Sequence, residues 1–215
     1  MVGILIMMTR DVVRAAVNLP NFDPTEAART IFPDVTPEQR TPPPGMTPRI
    51  AAVLVLIYPV DGVLHVLLTR RTEQLRGHSG QISFPGGRRD PGDESFTHTA
   101  LRETCEELGI CEADLDILGQ MTTIYIPPSN FQVTPTVAYI PALPSLKPSP
   151  DEVAEVFGFA LPDLLNPAFK REEIWTLNGV RRPVRFYQVG EHKVWGATAI
   201  MLAELEYRLR AVLSG

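Results

Sequence analysis

Gly86-Gly87-Arg88-Arg89-Asp90-Pro91-Gly92-Asp93-Glu94, and seven residues later Arg102-Glu103-Thr104-Cys105-Glu106-Glu107-Leu108-Gly109-Ile110, form the stretch on which the reading of this chain turns. The pattern predicts a helix over Glu94–Leu108, with Asp93 or Ser95 as its N-cap and Gly109 as its C-cap. On that helix Glu103, Glu106 and Glu107 stand at i, i+3 and i+4, so their carboxylates share one face. Leu101, Thr104, Cys105 and Leu108 fall on the opposite side, toward a core. Three glutamates on a helix are more often a solvated acidic face than a site. Like charges at this spacing nevertheless cost stability unless a cation sits among them, and a hard ion with oxygen ligands, Mg²⁺ or Mn²⁺, is the natural partner. The glycine-rich segment just ahead favours that second reading, because its carbonyls add ligands and its N–H groups hold anionic oxygens.

Charge is segregated along the same stretch. Arg70, Arg71, Arg76, Arg88 and Arg89 stand against Glu73 on the N-terminal side. Asp90, Asp93, Glu94, Glu103, Glu106 and Glu107 stand against Arg102 on the other. A basic segment beside an acidic one suits a polyphosphate gripped by arginines and bridged to carboxylates by metal.

Working outward, Ile50–Tyr58 is a continuous apolar run, Asp61-Gly62 is a turn, and Val63–Thr69 is again β-rich. This is a hairpin whose first strand is buried on both faces. Leu75–Gly92 reads as a loop. Further strands are expected at Leu115–Ile126, Val133–Ile140, Ile174–Leu177 and Val184–Val189, and an amphipathic helix at Ala197–Leu213. The order predicts an α+β fold, a mixed β-sheet sandwiched between helices. Residues 49–215 form the domain. Residues 1–48 form an N-terminal extension, with a short helix over Asp11–Leu19 and a Pro-rich connector from Pro20 to Pro48, while Met1–Met8 reads as a disordered leader or as an upstream start codon with Met8 opening the chain.

Composition sets the outer limits. The 215 residues are 44% hydrophobic and 21% charged, which excludes disorder and fibrous repeats, and a net charge of −5 argues against nucleic acid as partner. The longest apolar run, Ile50–Val60, is about half of the roughly 20 residues a membrane span needs, so no membrane is expected. Two cysteines without CxxC spacing, Cys105 and Cys111, predict reduced thiols and a cytoplasmic location. The extension could reach across a partner, which makes a homodimer the expected assembly.

The segment Arg102–Ile110 resembles the core of the Nudix box: Gly, five residues, Glu, seven residues, then R-E-U-x-E-E-x-G-U with U apolar. Two features depart from it. Five residues after Gly87 comes Asp93 rather than Glu, with eight residues before Arg102; alternatively Glu94 is the box acid and the loop is one residue longer. Thr104 also stands where an aliphatic residue is usual. Upstream, Leu67–Gly87 is similar to the motif preceding the box in coenzyme A pyrophosphatases, with Thr72 in place of Ser. Pro127–Phe131 and Val194–Ala199 resemble downstream segments of that branch.

The resemblance implies a Nudix fold and metal-dependent hydrolysis of coenzyme A or its derivatives to 3′,5′-ADP and 4′-phosphopantetheine. It implies Glu103, Glu106 and Glu107 as ligands of Mg²⁺ or Mn²⁺ with help from Gly87, and Glu103 as base or water positioner. Arg102 would orient a box carboxylate, Asp93 or Glu94 and Gly86 would support the loop, and Arg70, Arg76 and His78 would contact phosphates. Arg71, Arg88 and Arg89 are left open between surface charges and ligand contacts, while Phe84 and Trp195 read as packing residues. The competing functions are the same chemistry on ADP-ribose or NADH, a non-catalytic nucleotide sensor, and an isoprenoid diphosphate isomerase, which would need a catalytic cysteine.

Overall fold

The computed structural model describes residues 8–34, 36, 41–73, 80–111, 115–177 and 179–214. The hairpin comes first in the sheet: β1 (Arg49–Val60) turns through Asp61-Gly62 into β2 (Val63–Arg71), paired antiparallel from Ile57↔Val66 to Val60↔Val63. β1 is buried along most of its length because both faces are covered. Parallel to it lies β7 (Phe131–Tyr139), in register from Arg49↔Phe131 to Ile57↔Tyr139. The expected mixed sheet is therefore present, with helices on both sides.

Two short strands lie inside the segment expected to be a loop, β3 (Ile82–Ser83) on β2 and β4 (Gly86–Arg88) on β1. They carry too few residues to show a period of two, and only their partners define them. The helix α3 (Phe96–Leu108) starts two residues later than expected, because Ser95 is its N-cap and accepts from the His98 N–H. Gly109, left-handed at φ 72°, ends it. The single strand expected over Leu115–Ile126 is split into β5 (Asp116–Gln120) and β6 (Ile124–Ile126), both pairing with β7. The break has a distant cause: a Glu204 carboxylate oxygen accepts from both the backbone N–H of Thr122 (3.0 Å) and its hydroxyl (2.9 Å).

An unforeseen strand, β8 (Val153–Ala160), completes the eight-stranded sheet by pairing with β2. The short helix α4 (Leu161–Leu164) then leads to a second sheet of three strands, built from β9 (Lys170–Leu177), β10 (Val180–Val189) and β11 (His192–Val194). The last helix, α5 (Gly196–Leu213), lies on the face of the main sheet opposite α3. Alternation along β1 sorts the core: Ala52, Leu54 and Leu56 pack with Ala100 and Leu108 of α3, while Ala51, Val55 and Ile57 pack in the cluster containing α5. Among the described residues, no helix is long and apolar enough to cross a membrane.

The thiols expected to be reduced are instead joined as a Cys105–Cys111 disulfide, with the two Cα atoms 4.6 Å apart. Gly109 is the reason, since its left-handed turn folds the chain back over the last turn of α3. Cysteine usage therefore no longer argues for a reducing compartment.

Residues of the N-terminal stretch are built into the α5 side of the core. α1 (Arg10–Val17) buries Val13, Ala16 and Val17 there, and α2 (Thr25–Arg29) buries Ala27. Arg208 on α5 locks this packing. Its buried guanidinium donates to the Glu204 carboxylate (2.8 Å) and to the Val17 carbonyl (3.0 Å), and it lies 4.2 Å over the Phe22 ring. Arg208→Met leaves Glu204 as an unpaired buried charge and Val17 without its donor, at an expected cost of about 3 kcal/mol. Urea unfolding checks the loss, and hydrogen exchange should show α1 losing protection first.

Candidate active site

Glycine decides how closely α3 approaches the sheet. Gly86, at φ +144°, sits where any Cβ would run into the backbone of Ala52 and Val53. A Cβ at Gly87 would overlap the Glu103 carboxylate. The pair therefore lets two glutamates lie against bare backbone. The Gly86 N–H donates to the Glu107 carboxylate at 3.1 Å, and Glu107 is only 3% exposed. Burial pushes the Glu107 carboxyl up to about 7 and also raises that of half-buried Glu103. Glu106, one helical step around, projects into solvent with its side chain 58% exposed.

Arg102 is the clamp of the site. Its guanidinium grips Asp93 through two hydrogen bonds of 3.0 Å each, meets Glu103 at 3.0 Å and Glu106 at 3.2 Å, and donates to the Arg88 carbonyl. Asp93 is buried, accepts from the Asp90 N–H, and is held well below the usual carboxylate range by that Arg102 fork. Glu94, by contrast, is exposed, and its N–H donates to the His98 ring. Of the two acids left open by the sequence, Asp93 is the one tied into the loop.

The upstream arginines divide. Arg70 bonds Glu155 (3.0 Å), which also contacts His192 (3.1 Å). Arg71 turns instead to Glu107, at 3.6 Å. A register shift between Arg70 and Arg71, where β2 meets β8, accompanies this separation. Arg71 is thus a site residue that the sequence left undecided, and no local pattern could have chosen it over Arg70. Arg76 and His78 lie outside the described residues.

Among the described residues, no three acidic, histidine or cysteine side chains are gathered closely enough to hold a metal ion. The donor set still fits a hard divalent cation. Two carboxylates whose ionisation is disfavoured by burial lie beside the Gly86-Gly87 backbone, and the nearest cation to Glu107 is Arg71, beyond hydrogen-bonding distance. Arg102 is shared among Asp93, Glu103 and Glu106, and Arg71 is the cation beside Glu107, so four carboxylates share two guanidiniums and further positive charge is favoured there.

A profile of the NUDIX domain matches residues 48–177. The chain belongs to the Nudix family. It is 38% identical over 172 residues to the mitochondrial coenzyme A diphosphatase of Homo sapiens, covering 78% of this chain and 71% of that protein. It is also 38% identical over 202 residues to the uncharacterized Nudix hydrolase NudL of Pectobacterium atrosepticum, covering 86% and 97%. Among solved structures, it is similar to a Nudix-family protein of Enterococcus faecalis, with a TM-score of 0.53 at 18% identity, covering 88% of this chain and 75% of that one. The Ap4A hydrolase of C. elegans gives a TM-score of 0.51 at 20% identity over 78% and 98%. These structural likenesses establish the fold. Nudix hydrolases generally use divalent metal ions.

The raised Glu107 pKa has a definite consequence for stability. A carboxyl whose folded pKa lies above its unfolded value, here about 7 against 4.5, favours the folded state at acid pH. That contribution is lost as pH rises through the folded pKa. In chelator, the metal-free protein is expected to weaken from pH 5 to pH 8. Glu107→Gln, neutral throughout, should be the more stable at pH 8 by roughly 2 kcal/mol and lose most of this pH dependence, the raised Glu103 carboxyl keeping the remainder. Urea midpoints at the two pH values measure it.

Proposed function

We propose that this Nudix hydrolase cleaves the diphosphate of coenzyme A or its derivatives, with water, to 3′,5′-ADP and 4′-phosphopantetheine. The observation that carries the reading is the buried pair Glu103 and Glu107 against Gly86-Gly87, in a chain 38% identical to a coenzyme A diphosphatase. Residues 49–215 are the catalytic unit in this reading, and residues 1–48 an extension whose helices α1 and α2 brace α5.

Glu103, Glu106 and Glu107, with the Gly87 carbonyl, would hold Mg²⁺ or Mn²⁺. Such an ion, when bound, polarises the diphosphate and lowers the pKa of a coordinated water. The chain's own residues do the rest. Arg102 fixes Asp93 and Glu103 relative to one another, so the loop and helix present their oxygens as one rigid unit. Glu103, half-buried and only partly neutralised by Arg102, is the group that would orient the attacking water and take its proton. Glu107 holds the Gly86 N–H and so sets the position of the glycine pair. Arg71 reaches into the same region and would be available to the substrate's phosphate oxygens.

Incubating the purified protein with Mg²⁺ or Mn²⁺ and, separately, coenzyme A, ADP-ribose and NADH tests the substrate. Release of 3′,5′-ADP and 4′-phosphopantetheine, with the other two left largely intact, is the expected result on chromatography. Preferential cleavage of ADP-ribose or NADH would overturn the substrate reading and leave the site reading standing. Cleavage of none would favour a nucleotide sensor.

Glu107→Gln is expected to lose hydrolysis by at least about a hundredfold. It should also lose the rise in melting temperature that Mg²⁺ gives the parent protein, while keeping its circular dichroism spectrum. Full activity in this variant would remove Glu107 from the site.

A further inference from the structure

Beyond Gly87 the chain continues into Arg88 and Arg89, and these two border an open cavity of about 700 Å³ between segments 47–50 and 88–91. Arg49 lies on its other side. Strand alternation divides the three guanidiniums between the two faces of one strand end. Arg88 pairs with Ala51, two residues from Arg49, so these two share a face, while Arg89 points to the other.

Two of the three cations are positioned by neutral partners. The Arg49 guanidinium lies 4.2 Å from the centre of the Phe131 ring and donates to the Ser129 carbonyl. Arg89 lies 5.4 Å from the centre of the Phe96 ring and donates to the Asp93 carbonyl at 2.9 Å. A ring face and a carbonyl hold a guanidinium in place without cancelling its charge. Arg88 has no polar side-chain partner among the described residues, although its carbonyl accepts from Arg102 at 3.0 Å. The one carboxylate in the lining, Asp90, is directed to Arg102 at 3.9 Å. Two largely uncompensated arginines on one face of a concave surface, Arg49 and Arg88, are suited to a compact dianion with several acceptor oxygens.

Position narrows the choice of dianion. At about 3.3 Å per residue, Arg89 is roughly 7 Å along the backbone from Gly87. The cavity is therefore separate from the place where Glu103 meets Gly87, yet within reach of a second phosphate on the same nucleotide. We infer that the cavity is a phosphomonoester subsite, in which Arg49 and Arg88, on one face of the strand end, grip the ribose 3′-phosphate of the substrate. The naming of that substrate rests on the function proposed above; the chemistry of the cavity does not.

The test uses the full chain with two nucleotides that differ by that one phosphate. Calorimetry should find adenosine 3′,5′-bisphosphate bound about tenfold or more tightly than 5′-AMP, and Arg88→Ala and Arg49→Ala should each erase most of the difference. Arg88 is exposed, with no polar side-chain partner among the described residues, so its variant is expected to keep the fold and report on the ligand. In kinetics, the ratio of kcat/KM for coenzyme A to that for dephospho-coenzyme A should fall about tenfold in Arg88→Ala. Equal affinity of the parent protein for the two nucleotides, binding of neither, or an equal loss of both in the variants overturns the subsite. An Arg88-dependent preference in a protein that cleaves neither coenzyme leaves the subsite standing and overturns the proposed substrate.

Discussion

Two helical carboxylates pressed against a glycine pair in the sheet set the terms for the rest of this molecule. Burying Glu107 and half-burying Glu103 removes both from water, and an anion so placed needs either a proton or a nearby cation. The contact also demands backbone without side chains, which Gly86 and Gly87 supply. Everything that fixes α3 relative to β4 therefore serves the site: the Ser95 cap, the Arg102 fork on Asp93, and the packing of Ala100 and Leu108 under the helix. The backbone at the far end is tied too, since the Lys147 and Ser149 N–H groups donate to the Leu108 and Glu107 carbonyls.

The other face of the sheet makes that rigidity affordable. β1 and β7 form the parallel centre of the sheet, and α5 closes it with a helix buried over most of its length. A helix so deeply buried carries charged residues that must find partners inside the protein. Glu204 takes Thr122 and Arg208, and Glu206 takes Tyr187, Lys170 and Arg210. Arg208 then extends the network to the last carbonyls of α1, where orphaned acceptors would otherwise face the core. The N-terminal helices are held by polar bonds from α5 as much as by apolar contact.

What could be read in the sequence was what local chemistry determines. The helix α3, its capping glycine and its acidic face follow from a 3.6-residue period, and the β1–β2 hairpin from two apolar runs around Asp61-Gly62. What could not be read depends on residues far away in the chain. β3 and β4 are strands only because β1 and β2 pair with them, and β5 parts from β6 where Glu204 captures Thr122. β8 follows a proline-rich stretch and contains Gly158, so its pattern is weak until β2 lies beside it. The divergence of Arg70 and Arg71 appears only where β2 meets β8. The cysteine pair failed for a different reason: composition was used to infer a compartment, while the geometry of a left-handed glycine brought the two thiols together.

The choice between Asp93 and Glu94 shows how loop length and side-chain length compensate. With Ser95 occupied as N-cap, the residue before it is carried outward, and Glu94 is exposed. One position earlier the chain still faces Arg102, and there the shorter acid fits, accepting from the Asp90 N–H while filling the guanidinium fork. A glutamate would add a methylene to a side chain that is almost fully buried. The extra residue in the loop and the replacement of Glu by Asp are thus two parts of one substitution. Both keep a carboxylate on Arg102, and with the guanidinium so engaged the charges of Glu103 and Glu107 are only partly balanced, by Arg102 and Arg71.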